Sequence, residues 1–222
     1  MTPGARSGRD ALAFHAAFAV VAGLTLALPA PALGWRVLAL VALYNVALPV
    51  VGRVRRHHGW VALWAFLAPL SAFQVVPDAV LADVLGSLDF PDTGGPRLGP
   101  TPLAMAGMWT IPLWGALFVA ERLSRGSAAR GAAWAAALTG VLLVGAEATL
   151  WAVPIWRAVD VATVGPVAWY VILPEVLLGA VSYLAFQQTR RRSVAVRVAA
   201  AALVSLVYLG ALAASYWMIE VA

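Results

Sequence analysis

The sequence predicts an all-α membrane protein, a polytopic bundle of seven transmembrane helices forming one domain over residues 1–222. Hydrophobic residues make up 63% of the chain and charged residues 11%, whereas soluble domains hold about 45–50% and 25%. Apolar runs of helix length recur along the chain, and arginines cluster between alternate runs. Together these observations indicate that lipid surrounds most of the fold.

The apolar runs define the predicted helices. Each run holds about 17–25 residues, the length needed to cross roughly 30 Å of hydrocarbon as an α-helix. The runs are continuous and do not alternate between apolar and polar residues, which favours helices over strands. In chain order, the predicted spans are residues 11–29, 35–52, 60–77, 102–120, 131–153, 166–187 and 198–218.

The first span also admits a second interpretation. The segment "LPAPALG" after it places Ala30 and Ala32 in the A-x-A spacing of a signal-peptide cleavage site. The preceding apolar run holds about 18 residues, whereas signal peptides usually hold about 7–15. A retained first helix is therefore the preferred interpretation. Cleavage would leave six spans and the same orientation for the rest.

The placement of the arginines predicts the orientation. All 15 basic residues are arginines, and only Arg36, Arg97 and Arg157 fall on outer segments if the N-terminus is cytoplasmic. This positive-inside pattern predicts an N-in, C-out protein of the cell's inner (plasma) membrane. The basic loops then face membrane lipids, so the net charge of +5 does not indicate nucleic-acid binding.

The residue types that the chain lacks exclude several kinds of site. There is no cysteine, which excludes a disulfide, a thiolate nucleophile and a cysteine-based metal site. There is no lysine, which excludes a Schiff base. The three histidines do not occur at matching depth in two spans, so neither a metal centre nor a cofactor is predicted.

The long outer connection, residues 78–101, is predicted to form a lid. An apolar stripe over residues 80–88 favours a short helix that lies at the interface or dips into the protein, and a segment rich in proline and glycine then ends it. Asp89 and Asp92 form a D-x-x-D pair, for which turn capping is preferred to a metal site. Arg97 is expected either to pair with Asp92 or to reach an anionic group of a ligand.

Two carboxylates within predicted helices are the candidate catalytic residues. An ionised side chain at the centre of a membrane helix costs about 2.5–3.5 kcal/mol, so such residues usually face the bundle interior. Glu147 and Glu175 lie in consecutive spans at predicted depths that differ by only about 5 Å. If the two carboxyl groups meet, charge repulsion and loss of water would keep at least one protonated, as a general acid requires.

Other polar and aromatic side chains are predicted to complete a largely apolar pocket beneath the lid. The amides would orient a ligand, and the aromatic rings would supply apolar surface. The predicted substrate-binding residues are Asn45, Gln74, Tyr44, Trp109, Trp169, Tyr170 and Arg97. For Asn45 and Gln74, the alternative is that they hydrogen-bond neighbouring helices to one another.

One stretch carries a family resemblance. "WYVILPEVLLGAVSYLAF", with Pro174 and Glu175 in an apolar helix, resembles the proline-then-glutamate stretch of the small integral-membrane lycopene cyclases and, more distantly, of small membrane-bound terpene cyclases. In those lycopene cyclases, another residue separates the proline from a doubled acidic pair, whereas here Val176 follows Glu175. The resemblance implies a compact bundle in which carboxyl groups, Glu175 among them, protonate an alkene or epoxide to start ring closure.

The sequence leaves three functions open. The first is an enzyme of the cyclase or isomerase kind that binds an isoprenoid or other apolar lipid and uses Glu147 or Glu175 as the proton donor. The second is a proton-coupled carrier that loads and releases protons at the same glutamates. The third is a non-catalytic partner or assembly protein that binds another membrane protein through its lid.

Overall fold

The chain folds as an assembly of helices with a few two-residue strands. A computed structural model describes residues 3–150 and 152–222. Within these residues, six helices are long and apolar enough to cross a membrane. The predicted all-α class is therefore confirmed, and the six apolar helices fit the predicted membrane protein.

The helices follow the predicted apolar runs, with shifted ends. They are α1 (Pro3–Ala27), α2 (Leu33–Val54), α3 (His58–Phe73), α4 (Val75–Ala79), α5 (Met105–Met108), α6 (Thr110–Leu123), α7 (Ala128–Glu147), α8 (Trp169–Thr189) and α9 (Val194–Tyr216). Single π-helical turns extend two of them, at Val80–Val84 and Trp217–Val221. The strands are β1 (Leu88–Asp89), β2 (Arg97–Leu98), β3 (Thr101–Pro102), β4 (Arg157–Ala158), β5 (Thr163–Val164) and β6 (Val167–Ala168).

The third apolar run extends further than predicted. After a turn at Gln74, α4 and its π-helical turn continue α3, so that His58–Val84 forms one candidate span. Pro77 does not end the helix, because it lies in the first turn of α4, where its missing N–H has no intrahelical partner to lose. Residues 78–84 therefore belong to this helix rather than to the predicted lid.

The fourth predicted span, residues 102–120, is interrupted. Pro102 is in β3, and α5 and α6 are separated at Trp109, which leaves α6 with 14 residues. At this interruption, the Asn45 side chain donates a hydrogen bond to the Gly107 carbonyl over 3.0 Å. No single helix over 102–120 is therefore present, and this run is not among the six candidate spans.

Two connections join at one end of the bundle. Strand β1, from the 85–104 connection, pairs antiparallel with β4, from the 152–168 connection. Across this pair, Arg157 Nε lies 2.8 Å from Asp89 Oδ2. We call these two joined connections, residues 85–104 and 152–168, the cover. The start of α2 also contacts the cover, because the Gly34 N–H donates a hydrogen bond to the Thr93 carbonyl over 2.8 Å. The cover is therefore built from two loops rather than from residues 78–101 alone.

Helices α7 and α8 pack closely against each other in the bundle. Gly179 of α8 lies so close to α7 that a Cβ there would come within 2.5 Å of the Ala135 carbonyl oxygen and of Thr139 Oγ1. Fully buried aromatic side chains fill the neighbouring core, including Trp60, Trp114 and Phe66. This close approach places the consecutive glutamate-bearing helices side by side.

Polar contacts fix α1 at the other end of the bundle. The Asp10 carboxylate accepts hydrogen bonds from Arg55 at 3.0 and 3.1 Å and pairs with His57 at 2.9 Å. The same carboxylate raises the pKa of the Arg55 guanidinium, because it stabilises the charged form. The first helix is otherwise mostly exposed, so these contacts attach it to the α2–α3 turn.

Candidate active-site cavity

A cavity of about 470 Å³ lies between the helices and the cover. Its walls come from α1, α4, α5, α6, α7, α8 and α9, together with both connections of the cover. Most of the lining is apolar, with leucine, methionine, proline and alanine side chains predominating over polar groups. A volume within the usual range of about 300–1,000 Å³ and an apolar wall with a few polar groups are typical of a small-molecule site.

Three carboxyl side chains line this one cavity: Asp78, Glu147 and Glu175. They come from three different helices, α4, α7 and α8. The structure therefore brings the two sequence-predicted catalytic residues to one site and adds a third carboxyl group.

Glu175 is the most enclosed of the predicted catalytic residues. Its exposed fraction is 4%, and its Oε2 atom is buried without a hydrogen-bond partner. Pro174 precedes it within α8, where the proline removes one backbone N–H from the helix. A buried oxygen without a hydrogen-bond partner is costly in a folded protein. A bound proton, or a hydrogen-bond donor on a ligand, would lower this cost.

Glu147 lies at the junction between a helix and the cover. It is the last residue of α7, and the next three residues form a turn. Trp156, from the 152–168 connection, lines the same cavity as Glu147. Glu147 Oε2, like Glu175 Oε2, is buried without a hydrogen-bond partner among the described residues. This carboxyl group therefore lies where the end of α7 meets the cover.

Asp78 was not predicted as a site residue, because the sequence interpretation ended the third span at Pro77. Asp78 is only 3% exposed, and its Oδ2 accepts a hydrogen bond from the Trp109 indole over 3.5 Å. The apolar stripe over residues 80–88 was the signal that could have located it. Read as a continuation of the preceding helix, that stripe places Asp78 inside the bundle.

Aromatic side chains surround the carboxyl groups. Tyr208 of α9 is 3% exposed and lines the same cavity as all three of them. Tyr170, at the start of α8, lines the cavity while its hydroxyl is 2.8 Å from Ser87 Oγ of the cover. Phe90, Trp109 and Trp156 also line the cavity. Of the predicted substrate-binding residues, only Trp109 and Tyr170 line this cavity.

Both predicted amides lie outside the lining and connect helices instead. Asn45 donates to the carbonyls of Val41 and Gly107 and accepts from the Trp64 indole over 3.2 Å. Gln74 is fully buried and accepts a hydrogen bond from Ser205 Oγ over 2.7 Å. These contacts correspond to the alternative interpretation, in which amides join helices.

The remaining three predicted substrate-binding residues also lie outside the lining. The Tyr44 hydroxyl is 3.0 Å from His15 Nε2 within the core. Trp169 is 50% exposed at the start of α8. Arg97 donates to the carbonyls of Phe90 and Pro100, so it holds the cover's own loop together. These hydrogen bonds correspond neither to pairing with Asp92 nor to reaching into the cavity.

The D-x-x-D pair of the cover is engaged in turn and strand contacts. Asp92 Oδ1 accepts from the Gly94 N–H over 3.0 Å, a contact typical of an Asx turn. Asp89 pairs with Arg157 across the two strands. In residues 3–150 and 152–222, no group of three or more histidine or acidic side chains is arranged to hold a metal ion.

The fold and the cavity together define a class: an all-helical, membrane-type bundle with an acidic interior cavity. Residues 75–219 match the family described as "Domain of unknown function (DUF6989)", and the chain belongs to this family. The matched segment contains every residue of the cavity lining except His15. Comparisons with curated proteins and with solved structures find no match.

Proposed function

We propose that this protein is an integral membrane enzyme that uses acid catalysis on an isoprenoid or another apolar lipid. One observation carries the proposal: three carboxyl groups from different helices line a single, largely apolar cavity of about 470 Å³. Carboxyl groups enclosed in apolar surroundings retain their protons, which is the state that a general acid requires. A mostly apolar wall favours a substrate that partitions from lipid.

The proposed reaction begins with proton transfer from Glu175 or Glu147 to a carbon–carbon double bond. The π electrons form the new C–H bond, the O–H bond breaks, and a positive charge develops on the adjacent carbon. Trp109, Tyr170 and Tyr208 would stabilise this charge through their ring faces. The carboxylate left on the donating glutamate would then remove a proton from the cation, which restores its own O–H bond. The net reaction conserves mass, as in isomerisation or ring closure.

We also propose the membrane arrangement that this chemistry needs. The interrupted α5–α6 segment crosses together with the six candidate spans, giving seven crossings with N-in, C-out orientation in the plasma membrane. The distribution of arginines supports this orientation. The joined connections of the cover then form an outer lid over the cavity. The pairing of β1 with β4 supports a lid that moves as one unit.

The experiment follows solvent deuterium into a product. Membranes that contain the full-length chain are incubated in D₂O with a polyprenyl lipid extract. The products are then separated, and their molecular masses are measured by mass spectrometry. The proposal predicts an isomeric product with one carbon-bound deuterium. Removing a general acid typically costs about 10²–10⁴-fold in rate, so Glu175→Gln or Glu147→Gln should lower its formation by about 100-fold or more.

A matched control tests whether the loss of any carboxyl group, wherever it lies, lowers product formation. Glu121→Gln removes a carboxyl group that pairs with Arg190 outside the cavity lining, and it should leave product formation unchanged. Unchanged formation in both cavity variants would contradict the proposal. Proton flux in liposomes without a new product would favour a carrier, and stable co-purification with another membrane protein would favour an assembly role.

A further inference from the structure

The cavity lining carries more acidic than basic side chains. Its lining contains three carboxyl groups and no arginine. Its one basic side chain, His15, is already engaged, because Nδ1 is 2.8 Å from the Ala11 carbonyl oxygen and Nε2 is 3.0 Å from the Tyr44 hydroxyl. Within the described lining, no cation is therefore positioned to balance a carboxylate.

Two of the carboxyl groups have an oxygen without a partner. Glu147 Oε2 and Glu175 Oε2 are both buried and have no hydrogen-bond partner among the described residues, and the Glu175 side chain is almost fully enclosed. Such atoms lose the hydrogen bonds that water would give them, so a ligand that supplies a donor recovers free energy at this point. The cavity is therefore incomplete without a hydrogen-bond donor.

The aromatic rings indicate which kind of donor fits. Trp109, Trp156, Tyr170 and Tyr208 line the same cavity as the carboxyl groups. The face of an aromatic ring attracts a positive charge, and the attraction strengthens when water is absent. A neutral hydroxyl or amide would satisfy a carboxyl oxygen but would gain little from the aromatic rings. A cationic donor would gain from both features.

We propose that this cavity binds an apolar tertiary amine, which takes a proton from Glu175 or Glu147 and is held as an ammonium–carboxylate pair. The amine nitrogen uses its lone pair to form the N–H bond, the carboxyl O–H bond breaks, and the pair remains neutral overall. The amine crosses lipid in its neutral form, and its hydrocarbon part contacts the apolar wall. The proposal rests on the proposed function in that both place an apolar ligand in this cavity. In an enzyme, the ammonium group would occupy the place of the transient carbon cation.

The test compares two probes of equal chain length, bromododecyl dimethylamine and bromododecanol. The full-length protein is placed in lipid nanodiscs, and the bromine quenches tryptophan fluorescence when it lies near Trp109 or Trp156. The amine should quench saturably at a concentration at least about tenfold lower than the alcohol, because hydrogen bonds to charged groups are the stronger kind. Equal potency of the two probes would overturn the proposal.

Variants locate the binding site. Glu175→Gln should raise the half-saturating amine concentration by about tenfold or more, whereas Glu121→Gln, an equal change of charge outside the lining, should leave it unchanged. If Glu175→Gln does not fold, Glu147→Gln provides the same test at the end of α7. Amine binding that is unaffected by the cavity variant would overturn the proposal.

The two proposals can fail separately. Tight amine binding without any mass-conserving turnover would contradict the proposed enzymatic function and support the amine site. Turnover of a neutral isoprenoid, with the amine binding no more tightly than the alcohol, would contradict the amine site alone.

Discussion

Single side chains in this protein show how two similar sequence signals lead to different structural roles. Glu175 and Asn45 are both polar residues within apolar helices, and both were predicted at the site. The carboxyl group lines the cavity with an unpaired oxygen, whereas the amide is saturated by bonds to α2, α3 and α5. An amide carries both donors and an acceptor, so it can be satisfied by helices alone. A carboxylate cannot find donors on helical backbones whose N–H groups are already bonded.

Asn45→Ala tests this distinction. The variant loses hydrogen bonds to Val41, Gly107 and Trp64, and such bonds in membrane bundles average about 0.6 kcal/mol, with a maximum near 1.7. The free energy of unfolding should therefore fall by about 1–2 kcal/mol, measured in mild detergent. Retention of an apolar ligand should be unchanged, because Asn45 does not line the cavity. Loss of ligand from a folded Asn45→Ala protein would show instead that the amide orients the ligand.

At the scale of the helices, close packing of α7 and α8 holds two carboxyl groups in one cavity. This part of the site could be predicted from the sequence, because charged residues avoid lipid and consecutive antiparallel helices are usually neighbours. Asp78 could not be placed in the same way. Its location depends on whether a helix continues through Pro77, and a proline in a first turn is compatible with either outcome.

The other differences also arise from tertiary contacts. The interruption at Trp109 lies beside a carbonyl bonded to Asn45, a contact between residues 62 positions apart. The cover depends on the pairing of Asp89 with Arg157, from separate loops. Sequence periodicity reports local burial and carries no information about which distant loops pair. The long, uninterrupted helices were therefore predicted well, and the joined loops were not.

Gly179→Ala tests whether the α7–α8 contact sets the site. The added methyl group would overlap the Ala135 carbonyl and Thr139 of α7, so the two helices must separate. Overpacking of this kind typically costs about 1–3 kcal/mol, and the melting temperature in detergent should fall accordingly. Ligand retention should fall as well, because Glu147 and Glu175 move apart.

Gly145→Ala is the matched control on α7. A Cβ at position 145 meets nothing within 4 Å, and alanine favours helices over glycine by about 1 kcal/mol. The control should therefore be neutral or stabilising. Equal melting temperatures for Gly179→Ala and Gly145→Ala would show that α7 and α8 are not in close contact.

At the scale of the whole molecule, orientation can be measured cleanly because the chain contains no cysteine. Thr163→Cys introduces a thiol on the exposed strand β5 of the cover, and Arg191→Cys introduces one on the exposed turn after α8. With N-in, C-out topology, a membrane-impermeant maleimide should label position 163 in intact cells. It should label position 191 only after the cells are opened. The reverse pattern would contradict the orientation.

The central claim for the molecule is that its acidic cavity holds an apolar ligand. Native mass spectrometry of the purified protein in mild detergent, followed by lipid extraction, tests this claim most directly. The account predicts one specific apolar molecule bound to the unmodified protein and to Glu121→Gln, and its loss from Glu175→Gln. Equal retention by Glu175→Gln, or an unmodified protein that carries no specific molecule, would contradict the account.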